Sequence, residues 1–109
     1  MPLDKFKKIK LLALDFDGVM TVGAYVWTDQ DGKESVQCSR KDGLGIELLK
    51  KHGLDAVVIS KETNPVVTAR CRKLKIECAQ AVGTGQGKLE ILREVAKRRG
   101  IALQAIAYM

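Results

Sequence analysis

Short apolar segments alternate with helical segments along most of the chain, and this alternation constrains the fold more than any other feature. Four segments are predicted as strands: residues 11–14, 55–60, 77–82 and 105–109. Three helices are predicted between them: residues 43–51, from Asn64-Pro65 to about residue 74, and 88–99. Strands that alternate with helices make right-handed crossovers, so we expect an α/β fold with a parallel sheet flanked by helices.

A β-hairpin insertion is predicted at about residues 24–38. Asp31-Gly32 is a strong turn signal between two segments that favour strands. Tyr25 and Trp27 alternate on the hairpin, which fits either ordinary sheet packing or an exposed apolar face that pairs with another chain. The 109 residues support one core, so we expect one domain, residues 1–109, that carries this hairpin.

The basic charge is scattered rather than concentrated. Nineteen Lys and Arg against 13 Asp and Glu give a net charge of +6, and few aromatic residues interleave with the basic ones. A solvated surface is therefore favoured over a nucleic-acid interface, and a field that attracts anionic metabolites is the remaining alternative. Three cysteines without C-x-x-C spacing fit neither a disulfide framework nor a zinc site. The apolar run near the N-terminus is too short for a signal peptide or a membrane span, so we expect a cytoplasmic protein.

Polar residues lie at, or just beyond, three successive strand ends. Asp15 and Asp17 close the first strand, Ser60 ends the second, and Lys88 opens the last helix after a glycine-rich segment. Gly18 is expected to permit a tight turn and to leave N–H groups free for an anion. Open α/β sheets bind ligands beyond the carboxyl ends of their strands, so we expect these residues to share one site.

The chemistry of these residues suits a metal and a phosphoryl group. Two unpaired carboxylates near an apolar strand would be costly in free energy, and a bound cation would relieve that cost. An aspartate can also attack phosphorus and form an acyl phosphate. Ser60 can donate to a phosphoryl oxygen, and Lys88 can balance the negative charges. Each residue alone also fits a structural role, as a loop cap, a turn residue or a surface lysine. Because a lysine in a first helical turn opposes the helix dipole, a compensating negative charge is expected near Lys88.

Two other interpretations are disfavoured. A nucleotide-binding P-loop needs four residues between its glycines and a Ser or Thr after the lysine, whereas Gly83 and Gly87 are one residue too close and Leu89 follows Lys88. His52 lies beside Gly53 at a predicted helix end, where histidine is a favourable capping residue. We therefore exclude His52 from catalysis.

The residues at the strand ends and in the hairpin resemble those of a known family. Residues 14–21 (L-D-F-D-G-V-M-T) resemble the first signature of the haloacid dehalogenase (HAD) superfamily, and Ser60 and Lys88 resemble its second and third motifs. The hairpin, followed by residues 41–46 (K-D-G-L-G-I), is similar to the small-capped subgroup that contains 3-deoxy-manno-octulosonate-8-phosphate phosphatase. The C-terminal domain of some acylneuraminate cytidylyltransferases is similar as well.

The resemblance implies a Rossmann-like HAD fold with a hairpin cap and a Mg²⁺-dependent phosphatase connected with lipopolysaccharide biosynthesis. Its substrate would be a phosphorylated sugar acid, either 3-deoxy-D-manno-octulosonate 8-phosphate or an acylneuraminate 9-phosphate. Asp15 would be the nucleophile, and its carboxylate with the Asp17 carbonyl would bind Mg²⁺. The Asp17 side chain would be general acid and base, and Ser60 and Lys88 would hold the phosphoryl group. A homotetramer in which hairpins meet is also implied; the alternative is a non-catalytic oligomerisation domain with the same fold.

Two departures from the family pattern stand out. Lys61-Glu62 occupies the place where relatives often carry Gly or Glu and then Arg, which bears on substrate recognition. The fourth family motif, an acidic loop after the strand that ends at Met109, is missing from the sequence. We therefore expect a chain cut off before this motif, with little or no phosphatase activity of its own, whose parental reading frame continues with glycine and then an acidic residue.

Overall fold

The computed structural model describes residues 8–21, 26–61, 65–80 and 87–109 of the chain. The predictions for Ala24, Tyr25, the helix cap at Asn64 and the glycine-rich residues 83–86 lie outside these ranges. No helix within these ranges is long and apolar enough to cross a membrane.

The described residues form a four-stranded parallel sheet with the order β5-β4-β1-β6. Its strands are β1 (Leu11–Leu14), β4 (Asp55–Ser60), β5 (Glu77–Gln80) and β6 (Ile106–Tyr108). The parallel sheet expected from the alternating sequence pattern is thereby confirmed. Because β1 lies between β4 and β6, its carboxyl end is flanked by the ends of both neighbours.

Three described helices cover the sheet: α1 (Arg40–Lys51), α2 (Val66–Leu74) and α3 (Lys88–Arg99). The crossovers from β1 to β4 and from β4 to β5 proceed in one direction, which places α1 and α2 on the same face. The crossover from β5 to β6 returns in the opposite direction and places α3 on the other face. A 3-10 turn, Leu103–Ala105, leads into β6.

Each face of the sheet has its own apolar core. The core beneath α1 and α2 includes Leu14, Phe16, Ile46, Val58, Val67 and Cys71. The core beneath α3 consists of Leu11, Ala13, Val57, Ile59, Ile91 and Val95, and partly buried apolar side chains pack against it. Successive residues of β1 and β4 point into opposite cores, which is why these strands are apolar without interruption.

Leu89, Leu92, Val95 and Ala96 recur at helical spacing in the sequence, which predicts that Leu89 belongs to the apolar face of α3, and this prediction is wrong. Its side chain is 53% exposed, whereas Ile91, Val95 and Ala96 are buried. Leu89 lies about 200° around the helix from Ile91, so a helix that buries Ile91 turns Leu89 outward.

The helix boundaries differ slightly from those predicted. Helix α1 begins at Arg40 rather than residue 43, because the Ser39 hydroxyl caps it by accepting a hydrogen bond from the Lys41 N–H at 3.2 Å. It ends with His52 as C-cap, whose Nδ1 lies 2.8 Å from the Leu48 carbonyl, which confirms the capping role. Pro65 occupies the cap position of α2 rather than its first helical position.

The hairpin strands are shorter than predicted: β2 (Trp27–Thr28) pairs antiparallel with β3 (Glu34–Ser35). A further antiparallel bridge joins Thr21 to Cys38. The turn contains Asp31-Gly32, as expected, and the Asp29 carboxylate accepts hydrogen bonds from the N–H groups of Asp31 and Lys33, each at 2.9 Å. Both strands are exposed, so little apolar surface is buried that would stabilise a longer antiparallel pairing.

Ion pairs join the end of α3 to the amino ends of β4 and β5. Arg99 contacts Asp55 at 2.7 Å and Glu77 at 3.2 Å, and Arg98 contacts Glu77 at 2.6 Å. Burial disfavours the Asp55 carboxylate, but hydrogen bonds from Arg99 and from the Ala56 N–H outweigh this effect and lower its pKa. The hydrogen bond from Arg98, aided by both arginine charges, lowers the pKa of Glu77 despite partial burial.

Replacing Arg99 with Gln should lower the free energy of unfolding by about 1 kcal/mol at neutral pH, since solvent screens the exposed part of this network. The carboxyls have lowered pKa values in the folded protein, so their stabilisation is complete above their unfolded pKa of about 4 and is lost as the pH falls further. Urea unfolding between pH 2 and 7 measures this effect. Arg93→Gln on the same helix is the control, and a wild-type advantage that persists unchanged at pH 2 would contradict the assignment.

Candidate active site

The carboxyl end of β1 is held tightly against β6. The Met109 N–H donates to the Ala13 carbonyl at 2.9 Å, and the Asp15 N–H donates to the Met109 carbonyl at 2.8 Å. The ladder between the two strands therefore continues one residue past each of them. Asp15 consequently leaves the sheet from a fixed backbone position at the edge where ligands of such sheets bind.

The Asp15 carboxylate pairs with Lys88. Its Oδ1 lies 2.9 Å from the Lys88 ammonium and also accepts a hydrogen bond from the Phe16 N–H at 2.9 Å. Both charged side chains are about one-third exposed, at 31% for Asp15 and 32% for Lys88, so solutes can reach the pair. The negative charge expected beside Lys88 is therefore confirmed. It comes from the end of β1, which is far from Lys88 in the sequence.

The ion pair strengthens the charged form of Lys88. The hydrogen bond to Asp15 raises the pKa of Lys88, partial burial opposes this rise, and the Tyr108 side chain adds to it. Lys88 thus presents a permanent positive charge at the carboxyl end of β1. Such a charge can neutralise either the aspartate or an incoming anion.

Tyr108 is a member of this site that sequence reasoning missed. It lies on β6 in register with Ala13 of β1, and its side chain is close enough to Lys88 to contribute to the raised pKa of that residue. The available signal was an aromatic residue near the end of the last strand. It could not be interpreted without knowing that β6 is the neighbour of β1.

A tight turn follows Asp15. The Phe16 carbonyl accepts hydrogen bonds from Val19, Met20 and Thr21, and the Phe16 ring is buried. Gly18 has a positive φ of 79°, a conformation that favours glycine, which agrees with the expected tight turn. The sequence suggested that the Gly18 N–H is free for an anion. It is not, because it donates to the Thr21 hydroxyl at 2.9 Å.

The other two predicted site residues lie near the same edge. Strand β1 ends at Leu14, so the two-residue alternation of a strand does not fix the direction of Asp17, which is exposed within the turn. Ser60 is the last residue of β4 and only 2% exposed. The structure brings Asp15 and Lys88 into contact, whereas the roles of Asp17 and Ser60 in a common site stay predictions.

The oxygen atoms at this edge suit a hard cation. Magnesium is typically bound by one or two carboxylates together with water and phosphate oxygens, whereas zinc prefers nitrogen and sulfur. Within the described ranges, no group of three or more His, Cys, Asp or Glu side chains is arranged to hold a metal ion. The partly exposed Asp15 carboxylate fits magnesium as one ligand of such a set.

Sequence comparison links the chain to two kinds of curated protein, although no family model matches it. It is 29% identical over 108 residues to the 3-deoxy-D-manno-octulosonate 8-phosphate phosphatase KdsC of Haemophilus influenzae, covering 96% of this chain and 57% of that protein. It is 32% identical over 71 residues to N-acylneuraminate cytidylyltransferase A of Danio rerio, covering 65% of this chain and 16% of that protein. The chain thus spans little more than half the length of its phosphatase relative.

Solved structures agree with this relationship. A protein of Streptomyces avermitilis assigned to the HAD hydrolase family is 41% identical, with a TM-score of 0.83 over 94% of this chain and 56% of that one. The Moraxella catarrhalis 3-deoxy-D-manno-octulosonate 8-phosphate phosphatase is 30% identical, with a TM-score of 0.83 over 96% of this chain and 59% of that one. That structure contains magnesium, phosphate and 3-deoxy-D-manno-octulosonate.

The parallel β5-β4-β1-β6 sheet agrees with the fold of these solved structures. The chain has the Rossmann-like fold of the haloacid dehalogenase superfamily and is similar to the 3-deoxy-D-manno-octulosonate 8-phosphate phosphatases of that superfamily.

Proposed function

We propose that this chain carries the catalytic core of a Mg²⁺-dependent phosphatase that hydrolyses a phosphorylated sugar acid. The observation that carries the proposal is the partly exposed Asp15 carboxylate, 2.9 Å from the Lys88 ammonium at the carboxyl end of the central strand. The similarity to 3-deoxy-D-manno-octulosonate 8-phosphate phosphatases supports this substrate class. An acylneuraminate 9-phosphate is the second candidate, supported by the weaker similarity to the cytidylyltransferase.

Asp15 would act as the nucleophile in a two-step displacement. One carboxylate oxygen forms a bond to phosphorus while the bond from phosphorus to the sugar oxygen breaks, and Asp17 gives a proton to the departing oxygen. Water, deprotonated by Asp17, then attacks phosphorus of the aspartyl phosphate. This second step releases inorganic phosphate and regenerates the Asp15 carboxylate.

Lys88 and Ser60 would bind the phosphoryl group during both steps. The ammonium of Lys88 already neutralises Asp15 and can turn to the phosphoryl oxygens as negative charge moves there. Ser60 would donate its hydroxyl proton to a phosphoryl oxygen. Mg²⁺ bound by Asp15 and the Asp17 carbonyl would supply charge neutralisation of the phosphate when present.

The test is phosphate release from 3-deoxy-D-manno-octulosonate 8-phosphate, with N-acylneuraminate 9-phosphate and p-nitrophenyl phosphate as comparison substrates. Both the 109-residue chain and any longer parental reading frame should be assayed, with Mg²⁺ and with a chelator. Turnover that depends on Mg²⁺ and prefers a sugar-acid phosphate supports the proposal. If every form that contains these residues is inactive but assembles normally, a non-catalytic oligomerisation domain is the better description.

Substitution of the two aspartates should separate their roles in an active form. We expect Asp15→Asn to remove turnover almost completely, because the amide cannot form the acyl phosphate. Asp17→Asn should lower kcat by a factor on the order of 10²–10⁴, the usual contribution of acid–base catalysis. Asp29→Asn in the hairpin turn is the control, and near-normal turnover of Asp15→Asn would exclude Asp15 as nucleophile.

Lys88 should weaken cation binding while it stabilises the phosphate. Replacing it with Gln removes a positive charge 2.9 Å from the Asp15 oxygen, so we expect Mg²⁺ affinity to rise by about tenfold, equal to about 1.4 kcal/mol. Isothermal titration calorimetry without phosphate measures this change. Lys97→Gln, at the distant end of α3, should leave the affinity unchanged, and equal or weaker Mg²⁺ binding by Lys88→Gln would argue against the shared site.

We also propose that the hairpin assembles copies of this chain, because the Trp27 side chain is 62% exposed and lies beside the exposed Val26. A homotetramer is expected for the wild type in sedimentation equilibrium at tens of micromolar. Trp27→Ser should shift the population toward monomer, since it removes the largest exposed apolar surface of the hairpin. Leu48→Ser, on an exposed position of α1, should not; a wild-type monomer at this concentration would refute the proposal.

A further inference from the structure

A groove of about 930 Å³ runs between α1 and α2, on the face of the sheet opposite α3. Apolar side chains, among them Val36, Leu44, Val66 and Leu74, contribute to its lining. Leu44 is one of the most exposed large apolar residues of the described chain, although it lies on a helix that packs against the core. The groove therefore offers apolar surface that the described residues of the chain leave uncovered.

The charged residues of the groove are nearly all positive. Among the described residues that line it, one carboxylate, Glu47, lies beside five cations: Arg40, Lys50, Arg70, Lys73 and Lys75. A lining with this imbalance attracts negative charge more strongly than the net charge of the whole chain suggests.

Two long-range contacts tie the groove together at its ends. Arg70 of α2 donates from Nη2 to the Ser39 carbonyl, the cap of α1, at 2.9 Å. The Lys50 ammonium, near the end of α1, donates to the Lys75 carbonyl at the end of α2. The separation of the two helices is thereby set before any partner binds, which reduces the entropy lost on association.

The dimensions and chemistry favour an elongated partner. Arg40 and Lys50 are ten residues apart on α1, which places them about 15 Å apart along the helix axis. A single phosphate would contact only part of such a strip, and the described residues of the lining include no aromatic ring on which a nucleic-acid base could stack. An amphipathic helix with carboxylates beside its apolar stripe matches both the cationic and the apolar surface.

We propose that the groove between α1 and α2 is a docking surface for an acidic amphipathic helix of a partner protein. Each of the three described helices carries more basic than acidic residues, so the described part of a second copy offers no acidic helix to this groove. The surface is separate from the Asp15–Lys88 pair, because Lys88 belongs to α3 on the other face of the sheet. The inference therefore does not depend on the proposed phosphatase activity.

The experiment uses a fluorescein-labelled 14-residue helical peptide with leucines on one face and glutamates on the other, followed by fluorescence anisotropy. Lys73 and Lys97 form a matched pair of exposed lysines, each in the last turn of a helix but on opposite faces of the sheet. We expect Lys73→Glu to weaken peptide binding by about tenfold and Lys97→Glu by less than about twofold. Leu44→Ser should also weaken binding, because it removes apolar surface from the groove.

Circular dichroism and thermal unfolding establish that each variant is folded, and Arg40→Gln replaces Lys73→Glu if that variant is not. A control peptide with lysine in place of glutamate should not bind. If Lys73→Glu and Lys97→Glu weaken peptide binding equally, the effect depends only on net charge and the proposal is overturned. It is also overturned if the acidic peptide does not bind at 100 µM (about 5.5 kcal/mol), or if single-stranded RNA binds more tightly with the same dependence on Lys73.

Discussion

The burial of β1 is the constraint on which the rest of the structure depends. This strand pairs with β4 on one side and β6 on the other, while Leu11 and Ala13 enter one core and Leu14 enters the other. Each fully buried large apolar side chain contributes about 1.5–3 kcal/mol relative to exposure, so β1 cannot move without disturbing both cores. The position of Asp15 at its end follows from this immobility.

Ion pairs between described residues lie at the two ends of the sheet and have different functions there. At the amino end, Arg99 bridges Asp55 and Glu77 and connects α3 to two strands. At the carboxyl end, α3 begins with Lys88, which reaches Asp15. The same helix therefore stabilises the sheet at one end and supplies a cation to the candidate active site at the other.

The Asp15–Lys88 pair links this architecture to the proposed chemistry. A carboxylate at the end of a buried strand would be costly without a counter-ion, and Lys88 supplies one. In the proposed reaction the same ammonium would follow the negative charge from Asp15 to the phosphoryl group. Tyr108 of the neighbouring strand lies close to the pair and helps to raise the pKa of Lys88.

The sequence by itself determined the element types and most of their positions, because apolar continuity, helical periodicity and turn residues are local properties. It also identified Asp15 and Lys88 as residues of one edge, since strand ends can be located without knowing the strand order. Only the tertiary structure decided that β6 lies beside β1, that Tyr108 reaches Lys88, and that Leu89 faces outward while Ile91 is buried. These features depend on register, helix rotation and contacts between residues far apart in the chain, and local patterns carry little information about such long-range geometry.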